Sequence, residues 1–280
     1  MSAAVLSGTE LAAAIRTETA AKAAALTQAG TPPKLAVVVA TVDESSAWYV
    51  RSIAKAAEKV GIACGIIDLG GHAVSDDIRW KLASLCTDET VHGVILQTPL
   101  PDEAKLEDLA TAIAFEKDVD GANPLSLGRL VAGLPAFAPA TAEAVVAILN
   151  HHKVELAGRH VAVVGRSTVV GKPTAHLLLD RNATVTVCHS RTKDLAAITS
   201  TADVVVAAAG RAGLITAEHV RIGAVVVDVG TNPTPDGGLV GDVDAAAVAD
   251  KAGALTPVPG GVGPVTTALL LRHTVQAAAR

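Results

Sequence analysis

The stretch HVAVVGRSTVVGKPTAHLLL, residues 160–179, joins an apolar strand, a short loop and a helix. The strand ends at Gly165, the loop is Arg166-Ser167-Thr168, and the helix begins near Val170-Gly171. Gly165 permits a tight turn, and Gly171 permits close packing of the helix on the strand. Because N–H groups at a helix N-terminus attract phosphate, the stretch predicts a dinucleotide-binding turn. An ordinary turn between a strand and a helix is the alternative that this motif leaves open.

Short runs rich in Val, Ile and Ala recur along the chain and alternate with helical patterns. Continuous apolar runs of this length are typical of strands buried on both faces of a parallel sheet. The runs are 35–41, 63–69, 93–97, 160–165, 184–189, 203–210 and 223–230. Helices are expected at about 44–60, 74–87, 140–152 and 171–181, so the chain is predicted to adopt an α/β fold with right-handed crossovers.

A segment rich in Gly and Pro, residues 117–146, separates the first three strands from the last four. We interpret it as the crossing between two domains with a cleft between them. An N-terminal α/β domain is expected at 1–138, joined by a C-terminal helix at 264–280. A Rossmann-type domain with a parallel sheet is expected at 139–263.

Composition excludes several classes of protein. The 280 residues carry a net charge of −5, which excludes a basic nucleic-acid binder, and their 50% hydrophobic content excludes a disordered chain. No apolar run approaches the ~20 residues that span a bilayer, and no signal peptide is expected. Three scattered cysteines without metal spacing indicate reduced thiols, hence a cytoplasmic protein with no metal site.

Ser190 and Arg191 follow the strand at 184–189, where the adenine ribose lies in a Rossmann-type fold. An acidic residue there selects NAD, whereas a Ser-Arg pair suits a 2′-phosphate, so NADP is the predicted cofactor. A solvated loop arginine is the alternative.

Candidate ligand contacts precede residue 125. Tyr49 lies on a predicted helix whose geometry puts Ser52 and Ile53 on the same face. Gln97 ends a buried strand, at the edge where parallel sheets bind ligands. Asp118 and Asp120 are further candidates. Each candidate also has a plainer interpretation: Tyr49 as a core aromatic residue, Gln97 as a loop amide bonded to backbone, and Asp118 and Asp120 as part of a solvated turn.

The segment Pro257–Pro264 has three Pro and three Gly within eight residues. Such a composition fixes a backbone shape that few surface loops need. We interpret it as backbone that approaches a flat ligand.

Several ordered blocks extend from Tyr49 nearly to the end of the chain. They are Tyr49-Val50 with Gly61-Ile62, Gln97-Thr98-Pro99-Leu100-Pro101, Lys117–Gly121, Gly128-Arg129-Leu130, Val164–Ser167 with Val170–Pro173, Asp228-Val229-Gly230, Gly241-Asp242-Val243 and Thr256–Pro264. Together they resemble the bifunctional methylenetetrahydrofolate dehydrogenase/cyclohydrolase family.

The resemblance implies a folate substrate, an NADP cofactor and a homodimer. The cofactor residues that it implies are Gly165, Arg166, Ser167, Ser190, Arg191 and Thr231, the last in place of the family's isoleucine. The substrate residues that it implies are Tyr49, Ser52, Gln97, Thr98, Asp120, Pro259, Gly260, Gly261, Val262 and Gly263. In the family the tyrosine stacks on the pterin and the aspartate bonds its amino-pyrimidine edge.

Ile53 is a departure from the family. It stands four residues after Tyr49, where the family has the lysine that, tuned by the Gln97 position, moves protons in the cyclohydrolase step. Isoleucine transfers no proton, and Lys55 is predicted to point away. Further substitutions on the folate side are Thr98, Ala122, Ser126 and Ala142, whereas the cofactor side is nearly intact.

These features predict an NADP-dependent methylenetetrahydrofolate dehydrogenase with weak or absent cyclohydrolase activity. The alternatives are a folate-dependent one-carbon transferase, with Ala122 and Ala142 leaving room for a second substrate, and a bifunctional enzyme that uses another base. A pseudoenzyme is disfavoured by the retained Tyr49, Gln97 and Asp120. A Rossmann-type dehydrogenase unrelated to folate is disfavoured by the Pro257–Pro264 loop.

Overall fold

The computed structural model describes residues 3–101, 104–234 and 236–280, and the chain folds into two compact units. The first unit, called the nucleotide unit below, comprises Met1–Ala12 and Thr141–Thr266. The second, called the catalytic unit, comprises Ala13–Ala140 and Thr267–Arg280.

The elements follow one another in the order that the apolar runs predict. The strands are β1 (Ala4–Val5), β2 (Lys34–Val39), β3 (Ala63–Asp68), β4 (Gly93–Leu96), β5 (His160–Val164), β6 (Thr184–Cys188), β7 (Val204–Ala207), β8 (Val225–Asp228), β9 (Asn232–Pro233), β10 (Leu239–Val240) and β11 (Ala254–Leu255). The helices are α1 (Thr9–Gln28), α2 (Glu44–Lys59), α3 (Ser75–Thr87), α4 (Leu106–Ala110), α5 (Pro124–Val131), α6 (Ala140–His151), α7 (Gly171–Leu179), α8 (Leu195–Thr199), α9 (Ala245–Val248) and α10 (Val262–Ala278). A short 3₁₀ helix spans Ala217–His219.

The nucleotide unit is built on a parallel sheet in the order β1-β11-β8-β7-β5-β6. Its central strands are runs of valine and alanine, and every residue of Val204–Ala207 is buried. Such short aliphatic side chains allow helices to pack on both faces of the sheet. The order changes direction between β5 and β7, and ligands bind at this kind of switch point.

The catalytic unit contains a smaller parallel sheet in the order β3-β2-β4. Residues of β2 and β4 form a buried cluster with Ile78 and Leu82 of α3 and with Leu109 of α4. Strand β4 ends at Leu96, so the backbone that continues into Gln97 leaves the sheet at its carboxyl edge.

The predicted strands and the two-unit α/β fold are confirmed, with two differences in detail. The predicted ranges did not include α1, although its alanine-rich sequence has high helix propensity, nor the shorter helices α4, α5, α8 and α9, nor the two-residue strands β1, β9, β10 and β11. Residues 1–12, which the sequence analysis put in the N-terminal domain, belong to the nucleotide unit because β1 extends its sheet beside β11.

Gly165 is the position where the turn after β5 tolerates no side chain. Its φ is +137°, and an added Cβ would overlap the carbonyl oxygen of Ala208. We expect Gly165→Ala to lower the free energy of unfolding by at least about 2 kcal/mol, because both the strain and the overlap must be relieved.

Gly128→Ala is the matched control for that measurement by chemical denaturation. Gly128 lies inside α5 with open space around its Cα, so alanine there is expected to be neutral or to stabilise by up to about 1 kcal/mol. Equal effects of the two substitutions would contradict the argument.

Candidate active site

Tyr49 lies on α2 in the catalytic unit and is half-buried. The helix begins after Asp43, whose carboxylate accepts the N–H of Ser46 at 2.7 Å. Burial of the phenol raises the pKa of Tyr49 to about 12, and the Asp120 carboxylate adds to this rise. A hydrogen bond with the Thr267 side chain opposes it. The phenol therefore stays protonated near neutral pH, next to a carboxylate and a threonine of α10.

Asp118 shapes the loop that carries Asp120. Its side chain is 0% exposed, and it accepts the N–H groups of Ala122 and Asn123, each at 2.9 Å. The hydroxyl of Ser126 donates to the same carboxylate at 2.5 Å. These three donors replace the water that burial removes. Asp118 is thus a structural carboxylate, and Ser126 of α5 is one of the groups that bind it.

Asp120 is half-buried and has a strongly perturbed pKa. Burial raises the pKa of this carboxyl to about 7, and the nearby Asp118 carboxylate contributes to the rise. His273 and the backbone N–H of Ala140 lower it only in part. A carboxyl that titrates near neutral pH beside a tyrosine is a typical feature of a ligand-binding or catalytic site.

Ile53 is 0% exposed, so its side chain is completely buried in the catalytic unit. Ser52, one position earlier, donates its hydroxyl to the carbonyl of Tyr49 at 2.7 Å and so bonds to its own helix. Lys55 is exposed, in agreement with the expectation that it points elsewhere.

Gln97 and Thr98 form a second polar group of the same unit. The Gln97 amide Nε2 donates to the Thr98 carbonyl at 2.6 Å, and the hydroxyl of Ser46 reaches that carbonyl at 3.1 Å. The Thr98-Pro99 peptide is cis. Since Ser46 precedes Tyr49 by one helical turn, α2 connects this loop to the Tyr49–Asp120 pair.

The Pro259–Gly263 loop belongs to the nucleotide unit and packs against the backbone of Gly8 in the same unit. The Gly260 carbonyl accepts the N–H of Gly8 at 2.9 Å, and a Cβ on Gly8 would overlap the carbonyl oxygen of Gly261. Gly260 has a φ of +106°, and the Val258-Pro259 peptide is cis. Close backbone packing accounts for part of the glycine content that the sequence analysis attributed to a ligand. Val262 is buried and begins α10.

The turn after β5 has the predicted form. The N–H of Gly165 donates to the Cys188 carbonyl at 2.9 Å, which joins the ends of β5 and β6. A Cβ on Gly171 would overlap the carbonyl oxygen of Gly165, so both glycines are required by the close approach of helix and strand. The hydroxyl of Ser167 accepts the N–H groups of Val170 and Gly171 at 3.2 and 3.4 Å, so Ser167 orders the turn that leads into α7.

Ser190 and Arg191 are exposed and follow β6, the neighbour of β5. The N–H of Arg191 donates to the His189 ring at 3.1 Å, which orders the backbone and leaves the guanidinium outward. Arg166 is also exposed after Gly165, and Thr231 is exposed after β8, two strands from β5.

Two buried aspartates hold the neighbouring loops of the nucleotide unit. Asp242 accepts the N–H groups of Ala209 and Gly210 at 2.6 and 2.8 Å. Asp228 accepts those of Gly230 and Asp242, each at 2.9 Å. The loops that follow β7 and β8 are therefore fixed at the carboxyl edge of the sheet.

A parallel sheet with this strand order and this glycine-bounded turn defines the Rossmann class of dinucleotide-binding domains. Comparison with known proteins then shows the family. Residues 6–120 match the catalytic domain of tetrahydrofolate dehydrogenase/cyclohydrolase, and residues 139–280 match its NAD(P)-binding domain. The chain belongs to the tetrahydrofolate dehydrogenase/cyclohydrolase family.

Similar proteins agree over nearly the whole length. The chain is 66% identical over 275 residues to the bifunctional protein FolD 1 of Saccharopolyspora erythraea, covering 98% of this chain and 94% of that protein. The FolD crystal structure from Campylobacter jejuni has a TM-score of 0.94 at 39% identity, covering 98% of each chain. The Trypanosoma brucei enzyme, complexed with NADP cofactor and inhibitor, has a TM-score of 0.94 at 36% identity, covering 100% of this chain and 98% of that one.

Sequence analysis missed two contributors, Thr267 and His273. Both lie on α10 and reach the site from a distant part of the chain. Their neighbours Leu269, Leu270 and Leu271 are buried, and an apolar helix of this kind gives no local signal that two polar positions face a ligand site. Across the described ranges, no helix is long and apolar enough to cross a membrane, and no group of three or more His, Cys, Asp or Glu residues is suited to a metal.

The raised pKa of Asp120 predicts a pH-dependent stability. Its ordinary pKa is 3.8 and its folded-state pKa is about 7, so its contribution is fully present below about pH 4 and is lost as the pH rises through 7. In the unmodified chain the free energy of unfolding should fall by up to about 1.4 kcal/mol per pH unit between pH 5 and 7. We expect Asp120→Asn to remove this decline, because asparagine does not titrate.

Denaturation at several pH values checks this expectation. The exposed Asp250 provides the control, since Asp250→Asn should leave the decline as it is in the unmodified chain. Parallel pH profiles for the unmodified chain and Asp120→Asn would show that the carboxyl titrates normally.

Proposed function

We propose that this chain oxidises 5,10-methylenetetrahydrofolate to 5,10-methenyltetrahydrofolate with NADP, and that its cyclohydrolase step is weak or absent. The observation that carries the proposal is the pairing of Tyr49 with Asp120, together with a fully buried Ile53 four residues after Tyr49 on α2, in a chain of the tetrahydrofolate dehydrogenase/cyclohydrolase family. The Tyr49–Asp120 pair supports the folate substrate of the oxidation, and the isoleucine at position 53 supports the weak or absent cyclohydrolase step.

Tyr49 and Asp120 suit the two parts of a pterin. The neutral phenol presents a flat ring for stacking, since its raised pKa keeps it protonated. The Asp120 carboxylate, once ionised, accepts two N–H bonds from an amino-pyrimidine edge. A desolvated carboxylate forms stronger hydrogen bonds than an exposed one, so its burial favours recognition. Ser52, Gln97, Thr98 and the Pro259–Gly263 loop complete the proposed substrate contacts.

The nucleotide unit fits NADP. The close approach of strand and helix leaves no space for a side chain at Gly165 or Gly171. This tight, glycine-bounded turn has the form that presents backbone N–H groups to a pyrophosphate in Rossmann-type domains. The exposed Arg191, next to Ser190, supplies a cation for a 2′-phosphate. When bound, NADP supplies the hydride acceptor, and the protein supplies alignment and exclusion of water.

Ile53 removes the proton-transfer group from the proposed hydrolytic step. General acid–base catalysis contributes about 10²–10⁴-fold in enzymes, and an aliphatic side chain supplies none of it. Lys55 points to solvent, and the Gln97 amide donates to a backbone carbonyl. Position 53 therefore offers no side chain that could exchange a proton with the water that attacks the methenyl carbon.

A one-carbon transferase is the second candidate, and the loss of the lysine would protect the carbon from hydrolysis there too. Ala142 gives this alternative little support, because its side chain is completely buried rather than lining an open space. A homodimer stays a prediction from the family resemblance.

Arg191→Ala tests the cofactor proposal. We expect the Kd for NADP to rise by a factor that corresponds to roughly 1.5–3 kcal/mol, because a charge-assisted contact with phosphate is lost, while the Kd for NAD hardly changes. Arg159→Ala is the control, since Arg159 precedes β5 at the opposite end of the strand from Gly165. Calorimetry that finds equal weakening for both dinucleotides would reject the choice of NADP.

Ile53→Lys tests the proposal of weak hydrolysis. The unmodified chain is expected to hydrolyse methenyltetrahydrofolate little faster than buffer, as measured by its absorbance at neutral pH. A lysine at this buried position has a lowered pKa, which suits proton transfer, so the variant should restore measurable hydrolysis.

Ile53→Met, which fills the site without an amine, should restore none. Robust hydrolysis by the unmodified chain would overturn the proposal and point to another base, first of all Lys55. Failure to form NADPH from methylenetetrahydrofolate would favour the transferase instead.

A further inference from the structure

His273 is a buried histidine that the proposed chemistry does not use. It lies on α10 and is 3% exposed. Its Nδ1 is 2.8 Å from the carbonyl oxygen of Val119. A carbonyl oxygen only accepts hydrogen bonds, so Nδ1 carries the proton and donates it. That carbonyl belongs to the peptide that joins Val119 to Asp120, so the ring holds the backbone directly before the proposed pterin-binding carboxylate.

Packing fixes the ring in this place. Phe137 stacks on it with ring centroids 4.9 Å apart and an interplanar angle of 30°. The Arg280 guanidinium lies over the Phe137 ring at 4.6 Å from its centroid. With Nδ1 bonded to the loop and Phe137 stacked on the ring, His273 has a defined orientation beside the loop.

The charges around the ring are mainly negative on the loop side. Asp118 and Asp120 both interact electrostatically with His273, and Asp120 in turn faces Tyr49. On α10 itself, Arg272 interacts with Glu18 of α1. Lys117 donates to the carbonyl of Asp88 at 2.8 Å, which ties that cation to a different loop. The ring of His273 therefore lies next to the buried Asp118 carboxylate and the half-buried Asp120 carboxylate.

We propose that His273 is a positioning residue for substrate binding: its Nδ1–H holds the Val119–Asp120 peptide, and its ring, next to the Asp118 and Asp120 carboxylates, favours the ionised, binding form of Asp120. This inference rests on the proposed function, since it takes Asp120 to be the carboxylate that binds the pterin. It assigns to α10 a part in recognition and makes substrate affinity depend on the ionisation of Asp120.

The test measures binding of tetrahydrofolate by anaerobic calorimetry between pH 5.5 and 8.5. Only an ionised Asp120 accepts both N–H bonds, so affinity of the unmodified chain is expected to rise through a midpoint near pH 7. His273→Asn keeps an N–H donor for Val119 and loses the ionisable ring. We expect its midpoint to rise by at least about half a pH unit, with affinity at pH 8.5 within about twofold of the unmodified chain.

His273→Ala loses the donor as well and should bind about tenfold more weakly at every pH. His219→Asn is the matched control, because His219 is a buried histidine of the nucleotide unit, and its midpoint should not move. If His273→Asn leaves the midpoint of the pH dependence of tetrahydrofolate affinity unchanged, the proposal is overturned, and the ring contributes only packing.

Asp120→Asn separates this inference from the proposed function. If that variant binds tetrahydrofolate with unchanged affinity and pH dependence, the substrate assignment itself fails. If it loses binding while His273→Asn keeps the midpoint of the unmodified chain, only the positioning role fails.

Nuclear magnetic resonance of ¹⁵N-histidine in the unmodified chain provides a readout that does not need a folded His273 variant. The ring should be protonated at Nδ1 and should show an inflection at the Asp120 midpoint, which disappears in Asp120→Asn. A ring protonated only at Nε2, or insensitive to Asp120, would count against the proposal.

Discussion

A buried carboxylate is tolerated only where hydrogen bonds replace its lost water, and this constraint shapes both units. Asp118 accepts two backbone N–H groups and the Ser126 hydroxyl, and these bonds fold the loop that presents Asp120. In the nucleotide unit, Asp242 and Asp228 hold the loops after β7 and β8 in the same way. The geometry of these loops therefore depends on aspartates whose carboxylates bond to backbone N–H groups of the protein itself.

The same burial that makes Asp118 structural makes Asp120 chemically sensitive. Burial raises the pKa of both carboxyls. At Asp118 three hydrogen-bond donors oppose this rise, whereas at Asp120 the neighbouring Asp118 charge adds to it and the pKa reaches about 7. Two neighbouring carboxyls with different hydrogen-bond partners can therefore serve different purposes: Asp118 stabilises the loop, and Asp120 is the candidate for ligand recognition. Ile53 fits this arrangement, since it adds buried apolar surface where a lysine would add a positive charge.

Much of the fold was predictable because it is encoded locally. Valine-rich runs such as Val204–Ala207 predict buried parallel strands, and Gly165 and Gly171 predict the turn that the structure contains. The N-terminal segment was assigned to the wrong unit because two residues, Ala4 and Val5, are too short a strand to show a pattern. Their place is decided by pairing with β11, about 250 residues further along the chain.

The sequence by itself determined the α/β class, the form of the turn after β5 and the candidates Tyr49 and Gln97, because these depend on local periodicity and short motifs, whereas a role for Asp120 in ligand binding came from the family resemblance. Only the tertiary structure showed that Tyr49 meets Asp120, that Thr267 bonds the phenol and that His273 holds the loop. It also decided that Ser52 and Ser126 bond within the protein. The physical reason is that burial and hydrogen-bond partners depend on how the chain folds, which can join residues as far apart as His273 and Val119, 154 positions from each other, and no local pattern records this.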